Sequence, residues 1–312
     1  MENNPKDKEF VQRVLKVFLV ADDRGKFMTL DNETDKLLNE PTKSIFLNLV
    51  ENLQSVTHTL SIPFNLVSDR VYSQRMDRFY TAERIRARDD DLASTEELFA
   101  RAHKRFDEWY DVEGRDAIPD EILIILESMT NNEKAMIGAR DLVRQGLVMT
   151  WSAFEVFFRE AIEHVINNNT KNFLKIYNNK ELRRQFIPNS LDWEVLSDFE
   201  FDMREKLGEY IVSRSDLSSI AAIRKIAGAI WDDSSEIASK LSENRLWLLN
   251  QKRNLIVHRR GIVDRKYLAA TGDDVRLGEI LLIVPQDVEA AQEAVYDACN
   301  AVAKEVQRAI MR

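Results

Sequence analysis

Apolar residues recur every three or four positions along much of this chain, the spacing that lines one face of an α-helix. The longest such run goes from Asn131 to about Asn168. In it Val143, Leu147, Trp151, Phe154, Phe158, Ile162 and Val165 form a wide stripe, which predicts a helix set into a core. At about 100° per residue, Glu155 falls inside the edge of that stripe. A carboxylate there either reaches water or a neighbouring lysine, or pairs with a buried arginine from elsewhere. His164 lies off the centre of the stripe and reads as a surface or boundary residue.

Around this run the pattern predicts further helices. Ser94-Thr95-Glu96-Glu97 has the form of a capping box and opens a helix through Leu98, Ala102, Phe106 and Trp109-Tyr110. Gly114 is expected to end it and Pro119 to open the next. Residues 170–232 read as two or three shorter helices punctuated by Pro188 and Gly208, with Trp193, Phe199, Phe201 and Ile211 as core and Arg183-Arg184 as a solvated face. Asp233-Ser234-Ser235-Glu236 is a second capping signature, for a helix carrying Ile237, Leu241, Leu248 and Leu255. After Gly261 the periodicity changes. Ile262-Val263 and Ile280-Leu281-Leu282-Ile283-Val284 predict a small β-hairpin around a Thr271-Gly272-Asp273-Asp274 turn. Pro285 is expected to end it, and Asp287 to cap a last helix with Val288, Ala291, Val295, Ala298, Val302 and Val306 on one side.

The first 120 or so residues are harder to read. Residues 6–20 fit a short amphipathic helix, or a helix running into a strand. Val17-Phe18-Leu19-Val20, Asp22-Asp23-Arg24-Gly25 and Phe27-Met28 equally fit a hairpin. Residues 43–75 alternate apolar segments with Ser, Thr and Asn, include Pro63 and show no motif. Residues 83–92 form a charge run, read as a solvated linker or exposed helix, with a regulatory or partner-binding segment as the alternative. The expected fold is mainly α, with an N-terminal, mostly helical region over 1–125 and a second domain over 126–312.

Composition narrows this picture. Nine Gly and six Pro in 312 residues are too few for the many turns of an all-β fold. A net charge of −9 has the wrong sign for a sequence-blind coat on nucleic acid, so any such binding has to come from a local patch. The single Cys299 excludes an internal disulfide and a cysteine metal site, and it sits among Ala298, Ala301 and Val302 on a packed face. The N-terminus carries no apolar signal core and no run approaches a membrane span, so a cytoplasmic protein with no membrane partner is expected.

The chemistry concentrates in one place. There is no Gly-rich phosphate loop and no GxSxG elbow. The histidines at 58, 103, 164 and 258 are too scattered for a zinc site, so no metal and no cofactor is expected. What remains is Lys252-Arg253-Asn254-Leu255-Ile256-Val257-His258-Arg259-Arg260 at the end of an apolar helix. From 252 to 266 there are six Lys or Arg against one Asp, a surplus of five positive charges on an otherwise acidic chain. Lys252, Arg259 and Arg260 are the candidate RNA-binding residues. Cleavage of RNA by its own 2′-hydroxyl needs a proton carrier, which His258 supplies, and a cation for the phosphorane, which Arg253 supplies. Arg253 and His258 are five apart, so about 140° separates them on an ideal helix. A two-fold dimer meets that difficulty by placing each histidine near the other subunit's arginine. Basic residues in a last helical turn also simply offset the C-terminal dipole, and physics alone leaves both readings open.

Arg253-Asn254-Leu255-Ile256-Val257-His258 matches the R-x4-6-H motif of HEPN domains, including the frequent Asn after the Arg. Gly261, Val263-Asp264, Tyr267, Gly278-Glu279 with the apolar strand, and the early helix with Trp151, Phe154-Glu155 and Phe158 are also similar to HEPN proteins of bacterial toxin and phage-defence systems. The resemblance covers about residues 130–312. It implies an α-helical bundle that dimerises around a composite cleft, and metal-independent endoribonuclease activity leaving a cyclic phosphate end. It assigns Arg253 and His258 as the catalytic pair and Asn254 as the orienting residue. Glu155 is added by inference as the partner holding Arg253. RNA and a second copy of the chain are the expected partners, with a regulatory protein partner or trigger engaging the N-terminal region. The competing reading is a non-catalytic HEPN-like module that binds RNA or protein; a third is a toxin subunit silenced by a separate antitoxin through Tyr267.

Overall fold

The structure, a computed structural model, describes residues 11–19, 32–87, 94–187, 193–203, 206–231 and 236–311. The chain is mainly helical and forms two compact units. One comprises Met1–Gly25 and His58–Val143, the other Lys26–Thr57 and Arg144–Arg312. The single boundary drawn near residue 125 therefore does not follow the units: residues 26–57 pack with the C-terminal part of the chain.

Polar side chains explain that assignment. Helix α1 (Asn32–Leu37) and the start of α2 (Glu40–Arg86) are tied to the last helix of the chain, α14 (Pro285–Met311). Thr34 Oγ1 donates to Asn300 at 3.0 Å, the Asn39 amide to Gln307 at 2.9 Å, and Gln292 Nε2 to the Leu53 carbonyl at 2.9 Å. Thr34, Gln292 and Gln307 are buried, so leaving these groups without partners would cost about 1–3 kcal/mol each. Residues 43–75, which showed no motif, are thus one continuous helix. Phe46, Leu49, Leu53, Val56, Leu60, Val67 and Val71 are buried along it, and burial outweighs the poor propensity of Ser, Thr, Asn and the internal Pro63.

In the first unit, α2 from His58 onward accompanies α3 (Thr95–Trp109), a π turn (Tyr110–Gly114), α4 (Arg115–Thr130) and the start of α5 (Glu133–Asn168). Residues 11–15 are helical and turn at 16–18. Val14, Phe18, Val67, Val71, Ile118, Ile122 and Leu126 make its core. Phe10 and the hairpin alternative over 20–28 lie outside the described residues. The Ser94 capping box forms as expected, with the hydroxyl accepting from the Glu97 amide at 3.2 Å. Gly114 does not end the helix. Its φ of −65° keeps the chain helical, and an added Cβ would meet the Tyr110 ring at 2.9 Å, so close packing is what requires glycine here. Pro119 accordingly falls inside α4 rather than at its start. Glu83 is buried between Arg86 (2.6 Å) and Arg105 (3.0 Å), so the charge run is not wholly solvated; its 88–92 portion lies outside the described residues.

The second unit is built on α5 from Arg144. Leu147, Trp151, Phe154, Phe158, Ile162 and Val165 are buried as the stripe predicts. Phe157 meets Phe46 edge-on at 6.1 Å. Among the described residues five helices follow where two or three were expected: α6 (Thr170–Asn178), α7 (Lys180–Phe186), α8 (Trp193–Asp198), α9 (Leu207–Arg214) and α10 (Ile220–Trp231). Trp193 and Phe201 are not core. They are exposed and lie beside each other at 6.1 Å, next to two residues, Glu200 and Phe201, in the left-handed region. The predicted helix from 236 breaks at Ser242-Glu243 into α11 (Glu236–Leu241) and α12 (Asn244–Arg259), where the Glu243 backbone turns extended at ψ 135° and its carboxylate pairs with Lys240 and Arg245. Asp233-Ser234-Ser235 and Pro188 lie outside the described residues.

The expected hairpin is replaced. Among the described residues there is one antiparallel bridge, Ile262 with Ile280, and no strand. The Asp264 carboxylate accepts from the Tyr267 amide at 2.8 Å and starts a helix, α13 (Arg265–Thr271), closed by Gly272 at φ +71°. Pro285 opens α14 rather than ending a strand, and Asp287 reaches back to the Val284 amide at 2.9 Å.

Gly208 shows how closely the second unit is packed. A Cβ there would meet the Glu163 carbonyl oxygen at 2.3 Å, whereas one at Gly138 in α5 meets nothing within 4 Å. Gly208→Ala should therefore lower stability by about 1–3 kcal/mol in urea unfolding. Gly138→Ala should raise it by about 0.5–1 kcal/mol.

Candidate functional site

The motif residues lie on the last turns of α12, whose end is set by backbone geometry. Leu255 and Ile256 are buried, while His258, Arg259 and Arg260 are exposed. Arg260 takes the left-handed conformation (φ +56°), followed by Gly261 (φ +78°). The Gly261 amide bonds back to the Leu255 carbonyl at 3.0 Å, closing the helix. Glycine takes this conformation without penalty. The structure places an arginine in the left-handed region as well, which costs about 1–2 kcal/mol for a residue with a Cβ.

The chain just beyond is clamped. Val263 donates to the Glu279 carbonyl at 2.8 Å and accepts from the Gly278 amide at 2.9 Å, and Leu281 donates to the Gly261 carbonyl at 2.8 Å. Val263 and Leu281 are buried beneath these bonds. The residues that resembled a hairpin therefore act as a brace for the end of α12. Lys252 pairs with Asp287 at 2.9 Å, joining α12 to the start of α14. Arg259 lies 3.6 Å from Asp264. Arg260, Arg265 and Lys266 remain exposed, so the basic strip from 252 to 266 is largely open to solvent.

Arg253 is half-buried. Its Nη1 donates to Asn254 Oδ1 at 2.9 Å, while its Nε is enclosed without a hydrogen-bond partner. Asn254 thus sits where it orients the guanidinium. Glu155 does not hold Arg253. It pairs with Arg159 at 3.0 Å, one turn along the same helix, and Arg159 in turn donates to the Val212 carbonyl at 2.9 Å. An i, i+4 partner was available locally, and it took the carboxylate.

The acid near Arg253 is one that sequence reading missed, Asp216. Its carboxylate accepts from the Ser218 hydroxyl and from the Ser218 amide at 3.0 Å. These bonds hold its pKa below the ordinary carboxylate value; burial opposes them, and the Arg159 and Arg253 charges add to the lowering. Buried Asn250, one turn before Asn254, donates to the Ser218 carbonyl at 3.4 Å and fixes this loop against α12. The Asp216-Leu217-Ser218 spacing, an Asx-turn pattern, was the available signal.

Arg253 and His258 are not joined by any bond within one chain, as their spacing predicts. His258 projects from the exposed end of α12 and Arg253 is anchored further back. Elsewhere, Tyr267 is buried and bonds Asp273; burial, then that bond, push its pKa up. His164 is a boundary residue whose pKa is lowered by burial. Cys299 is fully buried, and burial raises its thiol pKa well above the usual value. No group of three or more His, Cys, Asp or Glu able to hold a metal occurs among the described residues, and no helix there is long and apolar enough to cross a membrane. No protein-family model matches the chain, and neither a curated protein nor a solved structure matches it.

The lowered Asp216 pKa has a defined consequence. A carboxyl with a depressed folded-state pKa stabilises above its unfolded value, and that contribution is lost as pH falls through the folded value. Asp216→Asn should thus be less stable than the parent at pH 7, with the difference shrinking as pH falls below the ordinary carboxylate range. A difference that grows on acidification, measured by urea unfolding across this range, would contradict the assignment.

Proposed function

We propose that this chain is a metal-independent endoribonuclease of the HEPN type, acting as a toxin or an abortive-infection effector against phage. The observation that carries the reading is the Arg253-Asn254-x3-His258 motif on a braced helix end. Its imidazole is exposed and its guanidinium is oriented by Asn254. The second unit would then be a HEPN-like bundle, with the 261–263 and 278–281 brace in place of a hairpin.

The chemistry follows from the groups. The 2′-oxygen attacks the adjacent phosphorus, its proton is removed, and the P–O5′ bond breaks as the 5′-oxygen gains a proton. The products are a 2′,3′-cyclic phosphate and a 5′-hydroxyl. His258 moves a proton, and Arg253 stabilises the dianionic phosphorane. Arg259, Arg260 and Lys252 hold the flanking phosphates, Lys252 the least freely because Asp287 engages it. Two copies of the chain form the cleft, each giving His258 to the Arg253 of the other. The first unit answers a trigger or a protein partner.

One observation favours the alternative of a non-catalytic RNA- or protein-binding module. Arg253 is half-buried and its Nη1 is already engaged by Asn254, as a structural guanidinium would be.

Incubation of purified protein with total RNA in EDTA separates the readings. The parent should cleave, leaving cyclic phosphate ends, and His258→Ala should be slower by about 100-fold or more. RNA left intact by the parent, but bound, would favour the module. Equal cleavage by His258→Ala would remove the site assignment.

A further inference from the structure

The first unit contains a cavity of about 250 Å³ that the nuclease reading does not use. Arg75, Arg78, Phe79, Ala82, Arg86, Arg105 and Trp109 line it. Four guanidiniums and two aromatic rings around one small space are an unusual investment on a chain of net charge −9.

Ion pairing accounts for part of that charge. Arg75 pairs with Glu121 at 2.6 Å, and Arg86 and Arg105 share the buried Glu83 at 2.6 and 3.0 Å. The two carboxylates offset two of the four charges and leave a surplus of two. Among the described residues Arg78 has no ion-pair or hydrogen-bond partner, and its guanidinium lies at the cavity wall. Arg105 is bound to Glu83 through Nε, and Arg86 through Nη1, so each fork retains donors.

The aromatic side of the cavity is also ordered. Phe79 and Trp109 stand 5.8 Å apart, and the Arg75 guanidinium lies over the indole at 5.2 Å. Trp109 Nε1 donates to Glu113 at 3.1 Å, so its one donor is used outside the cavity. The lining therefore combines planar aromatic rings with guanidinium groups, one of them lying over the indole.

We propose that this cavity binds a small nucleotide, its phosphate on Arg78 and the free donors of Arg86 and Arg105, its base against Phe79, Trp109 and the overlying Arg75. Guanidinium forks match phosphate oxygens in bidentate geometry, and flat rings and guanidinium planes accept a base by stacking. Phosphate alone leaves the aromatic wall unused, and a base alone leaves the charge surplus unneutralised. At about 250 Å³ the cavity is just below the usual size of ligand pockets, so it has room for one nucleotide unit at most and not for a strand.

The test is calorimetric titration of the full-length protein with AMP and UMP, alongside inorganic phosphate and adenosine, with tryptophan fluorescence as a second readout. Either nucleotide should bind at least about tenfold more tightly than phosphate or adenosine. Arg78→Ala should weaken nucleotide binding by about tenfold or more, and Arg84→Ala, on the same helix but outside the cavity lining, should not. Trp109→Phe should remove the fluorescence change. His258→Ala should bind as the parent does, so this result is independent of the nuclease reading. The proposal is overturned by no binding of either nucleotide at about 1 mM. Unchanged binding by Arg78→Ala, or capture of a short RNA without capture of the mononucleotides, overturns it equally.

Discussion

The second unit depends on how one helix stops. At the end of α12 two consecutive residues, Arg260 and Gly261, enter the left-handed region, and the Leu255 carbonyl takes the Gly261 amide. Without that reversal Val263 could not reach its buried place, nor could its amide and carbonyl meet Glu279 and Gly278. The reversal costs strain at Arg260, and the brace that follows offsets it. The outcome is a rigid helix end with His258 and a cluster of exposed cations displayed on it. The proposed role of His258 as a proton carrier calls for such a fixed position, since small errors in position are costly in rate.

A second constraint acts behind the first. Loop 215–219 is held by Asn250, and the charges of Arg159 and Arg253 both favour the ionised form of Asp216 in it. Glu155 balances Arg159, so the charges behind the motif form a chain of alternating sign. Arg253 is thereby set in depth while His258 stays in solvent. The two residues are arranged to serve different points in space, as expected if each chain contributes half of a cleft.

The sequence showed much of this and hid the rest for identifiable reasons. The α5 stripe was legible because Trp151, Phe154, Phe158 and Ile162 are large, regularly spaced and fully buried. The Ser94 capping box was legible because its signal is local. The 47-residue α2 was not, because tertiary burial decides its course and Ser, Thr, Asn and Pro63 argue locally against helix. Residues 262–284 read as strands because short apolar runs carry no period of their own. Asp264 and Gly272 decided for a helix through capping, which only the fold makes evident. Trp193 and Phe201 were assigned to the core on size alone and lie outside it. The motif itself was plain in the sequence. Asp216 was not, since it is 37 residues from Arg253 and its charge acts on that arginine only through the fold.

The motif on α12 is proposed as half of a ribonuclease site that a second copy of the chain completes. Mixing Arg253→Ala protein with His258→Ala protein tests it most directly. If the halves come from different chains, each mixed dimer holds one intact pair, and about a quarter of the parent RNA cleavage should return. If the mixture is no more active than either variant alone, the shared-cleft account is wrong.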